Sequence, residues 1–380
     1  MVYLDNAATS HPKPATVVDA VVDALTVHNA NPGRSGHARA LAAARIILEG
    51  RERLAALLGA SDPLSIIYCF NCTDALNLAI KGVLKRGDHV IASLAEHNSV
   101  LRVLTELNDR NQIGLTLLPT NAEGILETFA IQSALSPRTR LVILTQASNV
   151  TGALQPVQET GALCAKNGVL YLVDGAQTLG AAPVDVEAIG CDLYAFPGHK
   201  GLLGPQGTGG LYIRPGLTLH TLREGGTGAS SESMRQNAEG PERYESGTLN
   251  LPGVAGLSAG VQYVSGRIDA IEKHERSLTD HLMRGLIETP GVVVYGPRAV
   301  ERRAGLVSFN LQDFPSGPVA DALDRSGFAV RGGLHCAPGA HTLMGTLKRG
   351  AVRASVGHAN THEEIDRFLA AVRKISLEGV

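Results

Sequence analysis

Asp192-Leu-Tyr-Ala-Phe-Pro-Gly-His-Lys200 closes on a lysine and runs into a glycine-rich stretch, Gly201-Leu-Leu-Gly-Pro-Gln-Gly-Thr-Gly-Gly210. Upstream, Leu170-Tyr-Leu-Val-Asp174-Gly-Ala-Gln177 reads as a short apolar strand that ends in an acid and a turn. Taken singly, a lysine after a strand is a solvated charge, and an Asp at a strand end is a turn residue or a helix cap. Together, with His199 before the lysine and glycines after it, they suit pyridoxal phosphate (PLP) chemistry. The lysine amine would form a Schiff base with the cofactor aldehyde. The acid would pair with the protonated pyridine nitrogen and make the ring an electron sink.

Working outward, short apolar runs alternate with helical stretches. Strands are expected at Ser65–Phe70, His89–Ser93, Leu115–Leu118, Leu141–Thr145, Leu170–Asp174, Asp192–Phe196 and Gly210–Ile213. Helices are expected at residues 15–30 and 38–58, and at Thr73–Lys81, Ser99–Asn111 and Val157–Asn167. The alternation predicts an α/β fold whose mostly parallel sheet is covered on both faces, with ligands at the carboxyl ends of its strands. His97, Asn149, Asp174 and Lys200 all follow such ends and can converge. After about residue 250 the pattern changes. A helix at Val254–Tyr263 is expected to continue into a polar one at Ile268–Ile287. Strands follow near Val292–Tyr295, Gly305–Asn310, Ala329–Arg331 and Ala351–Ser355, with helices at Pro318–Ser326 and Thr361–Ile375. The expected organisation is a large α/β domain at 15–253, a smaller α+β domain at 254–380, and an N-terminal arm at 1–14 packing near the site.

The 380 residues are 44% hydrophobic and 18% charged with net charge −2, which gives no basis for nucleic-acid or membrane binding. The start, Met1-Val-Tyr-Leu-Asp5, lacks the basic and apolar segments of a signal peptide, so a cytoplasmic protein is expected. Five cysteines (Cys69, Cys72, Cys164, Cys191 and Cys336) are scattered too widely for a disulfide framework. Cys69 and Cys72 have CxxC spacing, but no second cluster supplies two further ligands, so no metal site is expected.

Asn71-Cys72-Thr73-Asp74 follows a strand and opens a helix. Its backbone N–H groups and the Thr73 hydroxyl form a candidate phosphate cup. His97 is placed to stack on the pyridine ring and move a proton. Asn149 and Gln177 can hydrogen-bond the ring hydroxyl or a substrate carboxylate. Arg353, in Ala351-Val-Arg-Ala-Ser, suits bidentate capture of that carboxylate. Cys336 lies in Arg331-Gly-Gly-Leu-His335-Cys336-Ala-Pro338. Gly332 and Gly333 are expected to make the segment mobile, and His335 and Arg331 flank a candidate reactive thiol.

These pieces carry a resemblance. Val173-Asp174-Gly-Ala-Gln177, Gly198-His199-Lys200, Arg331-Gly-Gly-Leu-His-Cys336-Ala and Arg353-Ala-Ser resemble the class V aminotransferase-fold PLP enzymes, and within them the cysteine desulfurases and selenocysteine lyases. The likeness runs from Tyr3-Leu-Asp-Asn-Ala-Ala8 to Ala354-Ser-Val-Gly-His-Ala-Asn-Thr361. It implies fold type I, PLP as cofactor, and a homodimer in which Thr248 reaches the phosphate of the neighbouring subunit. It implies that Cys72, Thr73, His97, Asn149, Asp174, Gln177, His199 and Lys200 surround the cofactor, and that Ala8, Asn149 and Arg353 surround the substrate. The implied reaction converts L-cysteine, or L-selenocysteine, to L-alanine. Lys200, His97 and Cys336 are catalytic, and sulfur passes as a persulfide on Cys336 to an acceptor protein. A transaminase, an epimerase or a selenocysteine lyase of the same fold is the alternative. Pro197 stands where such enzymes often have Ser or Thr, leaving Thr73, His199 and Thr248 to hold the phosphate. Leu334 replaces a frequent His.

Overall fold

The computed structural model describes residues 1–32, 36–228, 232–312 and 314–379. The larger layer is built from β2 (Ile66–Cys69), α3 (Cys72–Val83), β3 (His89–Ser93), α4 (Asn98–Asp109) and β4 (Gly114–Leu118). It continues with α5 (Thr128–Ala134), β5 (Thr139–Thr145), α6 (Val157–Asn167), β6 (Leu170–Asp174), α7 (Val186–Ile189), β7 (Leu193–Pro197) and β8 (Gly209–Ile213). These strands form one seven-stranded sheet in the order β2-β8-β7-β6-β5-β3-β4. Strands β7, β6, β5, β3 and β4 run parallel, and β8 is antiparallel to both β7 and β2. The order makes the fold α/β, as expected.

The inner strands are buried on both faces, so they read as continuous apolar runs rather than alternating ones. Their side chains still divide by pleat. Tyr171, Val173, Tyr194 and Phe196 pack into a core with α2 (Ala38–Leu58), α6 and α8 (Leu251–Ser265). Leu170, Leu172, Leu193 and Ala195 face the opposite way, into a core with α3 and α4. The parallel strands all point their carboxyl ends to one edge, where Asp174 ends β6 and Lys200 follows β7.

The second layer is a four-stranded antiparallel sheet, β12-β13-β10-β9, from β9 (Val292–Val294), β10 (Leu306–Leu311), β12 (Arg331–Gly333) and β13 (Ala351–Ser355). It is covered by α9 (Ile268–Glu288), α10 (Ser316–Arg325) and α12 (His362–Glu378), and α11 (Pro338–Leu343) lies between β12 and β13 in the chain. The chain's first residues belong here too. The strand β1 (Val2–Tyr3) pairs in parallel with β11 (Phe328–Ala329), and Val2 and Leu4 join this layer's core. Helix α1 (Ala15–Thr26) packs on α8.

Several boundaries differ from expectation. Helix α1 stops at Thr26, short of residue 30. Helix α8 does not continue into α9, because a break at Gly266 and Arg267 separates them. The expected division at 253/254 falls inside α8, whose Val254, Leu257, Val261 and Val264 sit in the core of the large sheet. The change of core comes within α9, between Ile271 and Leu278.

Candidate active site

Asp174 is only 3% exposed, so its charge needs partners in place. Its Oδ1 accepts the Ala176 N–H at 2.9 Å and the Cys72 thiol at 3.6 Å. Gly175 beside it is forced by sterics, since a Cβ there would lie 2.1 Å from Cζ of Tyr194. Lys200 lines the same cavity, of about 220 Å³. Burial pushes its amine below the usual lysine range, against the pull of Asp174. A lysine held down in this way is a better nucleophile near neutral pH.

Helix α3 begins at Cys72, and Asn71 caps it by accepting the Asp74 N–H at 2.9 Å. Cys72 and Thr73, at the first turn of α3 where backbone N–H groups lack helical acceptors, both line the cavity, an arrangement that suits an anion. His97 caps α4 next to it. Its Nδ1 accepts the Ser99 N–H at 3.1 Å, so the ring proton sits on Nε2. Burial lowers its pKa and keeps it neutral. The Ser99 hydroxyl lies 2.8 Å from His97 Nδ1 and 2.7 Å from the Thr73 hydroxyl, linking the start of α3 to the imidazole. His199 also lines the cavity; its buried Nδ1 has no hydrogen-bond partner among the described residues, and burial lowers its pKa to about 4.

Arg353 is 1% exposed on β13, an interior strand of its sheet. Its Nη2 pairs with Asp5 Oδ1 at 2.8 Å, and Nη1 donates to the Asn149 carbonyl at 3.0 Å. Nε is buried without a hydrogen-bond partner among the described residues. Asn149 in turn donates from Nδ2 to the His335 carbonyl at 2.6 Å. Gln177 donates to the Ala7 carbonyl at 3.2 Å, and Ala7 and Ala8 complete the cavity wall.

Cys336 is half-buried, beyond the end of β12. Arg331 lines the cavity and donates from Nη2 to Cys336 Sγ at 3.6 Å. His335 is 2% exposed; its Nε2 lies 3.0 Å from the Ala351 carbonyl, and burial drives its pKa down to about 2. It stays neutral, so the cation beside the thiol is Arg331.

A lysine, an acid at a strand end, the start of a helix and an arginine bonded to a thiol now meet around one cavity. The family profile described as aminotransferase class-V matches residues 2–368. This chain belongs to the class-V aminotransferase family. A probable cysteine desulfurase of Methanothermobacter thermautotrophicus is 37% identical over 99% of this chain and 94% of its own. The cysteine desulfurase of an Enterobacter species is 34% identical over 99% and 93%. The apo structure of a cysteine desulfurase from Thermococcus onnurineus matches with a TM-score of 0.93 and 33% identity, covering 99% of this chain and 95% of that one. An Escherichia coli cysteine desulfurase in an S-sulfonic acid form matches with a TM-score of 0.89 and 30% identity, covering 99% and 94%.

Within this class-V aminotransferase chain, Thr248 stands apart from the other expected site residues. It is exposed and lines a separate cleft with Tyr68, Phe70, Thr208 and Asn250. The segment bearing Cys336 also departs from expectation. Gly332 and Gly333 are not a mobile loop but the strand β12, paired with Val352 and Ala351. The turn after it is tied down by Asn98 N–H to the Cys336 carbonyl at 2.7 Å and Ala337 N–H to the Leu334 carbonyl at 2.9 Å. Asp5 and Ser99 were not singled out from the sequence. Both are ordinary polar residues in their segments, and their importance comes from partners distant in the chain.

Proposed function

We propose that this protein is a PLP-dependent cysteine desulfurase acting as a homodimer, with Thr248 reaching the site of the neighbouring subunit. The observation that carries the reading is Cys336 Sγ within 3.6 Å of Arg331, itself in the wall of the cavity that holds Lys200. A transaminase or epimerase needs the lysine, the acid and the arginine but no thiol. The fit to PLP rests on chemistry present here: a depressed lysine for an aldehyde, a buried carboxylate for a pyridinium, and N–H groups at a helix start for a phosphate.

Bound PLP would supply an electron sink that weakens the substrate's Cα–H and Cβ–S bonds. The chain's residues do the rest. Arg353 holds the substrate carboxylate, with its guanidinium aligned by Asp5 and Asn149. Lys200, freed as an amine, takes the α-proton. Asp174 keeps the ring nitrogen protonated. The Cys336 thiolate attacks the substrate sulfur: an S–S bond forms, the Cβ–S bond breaks, and its electron pair returns to carbon, which a proton then completes as alanine. His97 Nε2–H is placed to move a proton during these steps. The persulfide is then passed to an acceptor, and because the turn is pinned, the acceptor must come to Cys336. All five cysteines are free, which fits a reducing, cytoplasmic setting.

The test is incubation of the purified protein with PLP, L-cysteine and a reductant. Sulfide and alanine in equal amounts are expected, with neither from Cys336→Ser. Keto acid without sulfide, or wild-type sulfide release by Cys336→Ser, would overturn the reading. A monomer in sedimentation would remove the shared site.

A further inference from the structure

Asp174 is held through one oxygen. Oδ1 takes both the Ala176 N–H and the Cys72 thiol, while Oδ2 takes no protein hydrogen bond among the described residues. A carboxylate turns easily about its last torsion, which is broad and two-fold. The backbone donor alone would fix one point and leave the plane of the group free to tilt. The thiol adds a second direction, from the cavity wall at the start of α3. Cys72 is the first residue of that helix, in the turn that suits an anion.

We propose that Cys72 is a positioning residue: its thiol sets Asp174 so that Oδ2 faces the cofactor's ring nitrogen, and it ties that orientation to the phosphate cup. This rests on the PLP reading of the cavity. The thiol suits the task. Burial, and next the nearby Asp174 charge, push its pKa well above the usual thiol range, so it remains a donor. Thiols are weak donors, so this one steers the carboxylate without competing strongly with a ring nitrogen for its charge. Serine is not equivalent. Its shorter bond from Cβ and smaller contact radius would leave the hydroxyl short of Oδ1 unless α3 moved. Cys69, the last residue of β2, has no hydrogen bond to Asp174 among the described residues and serves as a control.

The experiment reconstitutes wild type, Cys72→Ala, Cys72→Ser and Cys69→Ala with PLP. It follows the visible band of the bound cofactor through PLP and pH titrations, then measures kcat and KM for cysteine. Losing a weak donor to a charged acceptor predicts that both Cys72 variants bind PLP about 3- to 10-fold more weakly, with kcat lowered about as much. KM for cysteine should stay within about twofold, since Arg353 is untouched. The pH midpoint of the band should rise by about half a unit, because a ring nitrogen less firmly protonated repels the neighbouring lysine's proton less. A purely packing role would lower PLP retention or thermal stability and leave that midpoint where it was. Midpoints unchanged in both Cys72 variants would therefore overturn the inference, as would the same rise in Cys69→Ala. Wild-type protein that gains no band with PLP would overturn it together with the functional reading.

Discussion

Arg331 and Arg353 are direct partners across β12 and β13, yet they are held differently. Arg353 is neutralised by Asp5, whereas Arg331 reaches into the cavity wall toward Cys336. The Arg331 guanidinium adds positive charge to the cavity wall, which attracts a substrate carboxylate, and it donates to Cys336. With His335 held neutral, Arg331 is the nearest cation to the thiol. Arg331→Met keeps the aliphatic bulk and removes the charge. A charge-assisted hydrogen bond contributes about 1.5–3 kcal/mol, so sulfide release should fall roughly 10- to 100-fold. PLP binding should change little. Sulfide release by Arg331→Met at the wild-type rate would show that Arg331 does not assist Cys336. Lys200 and Asp174 were legible in the sequence because each closes a strand-like apolar run. The division of labour between the two arginines was not, since cross-strand pairing depends on register.

The first strand shows what an element adds. Leu4 accepts the Ser355 N–H at 2.7 Å, Asp5 bridges in parallel to Ser355, and Asp5 thereby meets Arg353 from the side. Asp5→Asn keeps a hydrogen-bonding oxygen but leaves a buried guanidinium without its counter-charge. KM for cysteine should rise about 5- to 10-fold and the melting temperature should fall by several degrees, with PLP affinity retained. A KM equal to wild type would sever the arm from substrate binding. At this scale the central strands were readable, because runs buried on both faces need no periodicity to stand out. Strand β12 was not, because Arg331-Gly-Gly333 has loop composition and becomes a strand only through β13. Gly332 is required there: a Cβ would come within 2.8 Å of the Ser316 carbonyl. Helices α5, α7 and α11, of seven, four and six residues, are too short to show a helical period. Helix α8 begins at Leu251, earlier than expected, since Pro252 fits the first turn of a helix and is not a break.

For the molecule as a whole, the seam between its two cores runs behind Lys200. Helix α9 crosses it, with Ile271 in the core of the large sheet and Leu278 in that of the C-terminal layer. Glu275 lies between them, in a small cavity of about 50 Å³ that it shares with Asn6, Ser10, Gln177, Lys200 and His358. Such a space holds a few waters. Burial raises the Glu275 pKa from 4.5 to about 8, while burial lowers that of His358 and keeps it neutral. The linkage has a definite sign. Below about pH 4.5 the carboxyl is protonated in both folded and unfolded chains, and its contribution is fully present. As pH rises toward 8, the unfolded chain releases a proton that the folded chain retains, so stability falls. Glu275→Gln has no such proton to release. Its urea midpoint should match wild type near pH 4.5 and exceed it increasingly up to pH 8, by about 2 kcal/mol or more once converted to stability. Parallel wild-type and variant curves across that range would mean that Glu275 is ionised in the folded protein, and the seam behind Lys200 would then hold a charge rather than a proton.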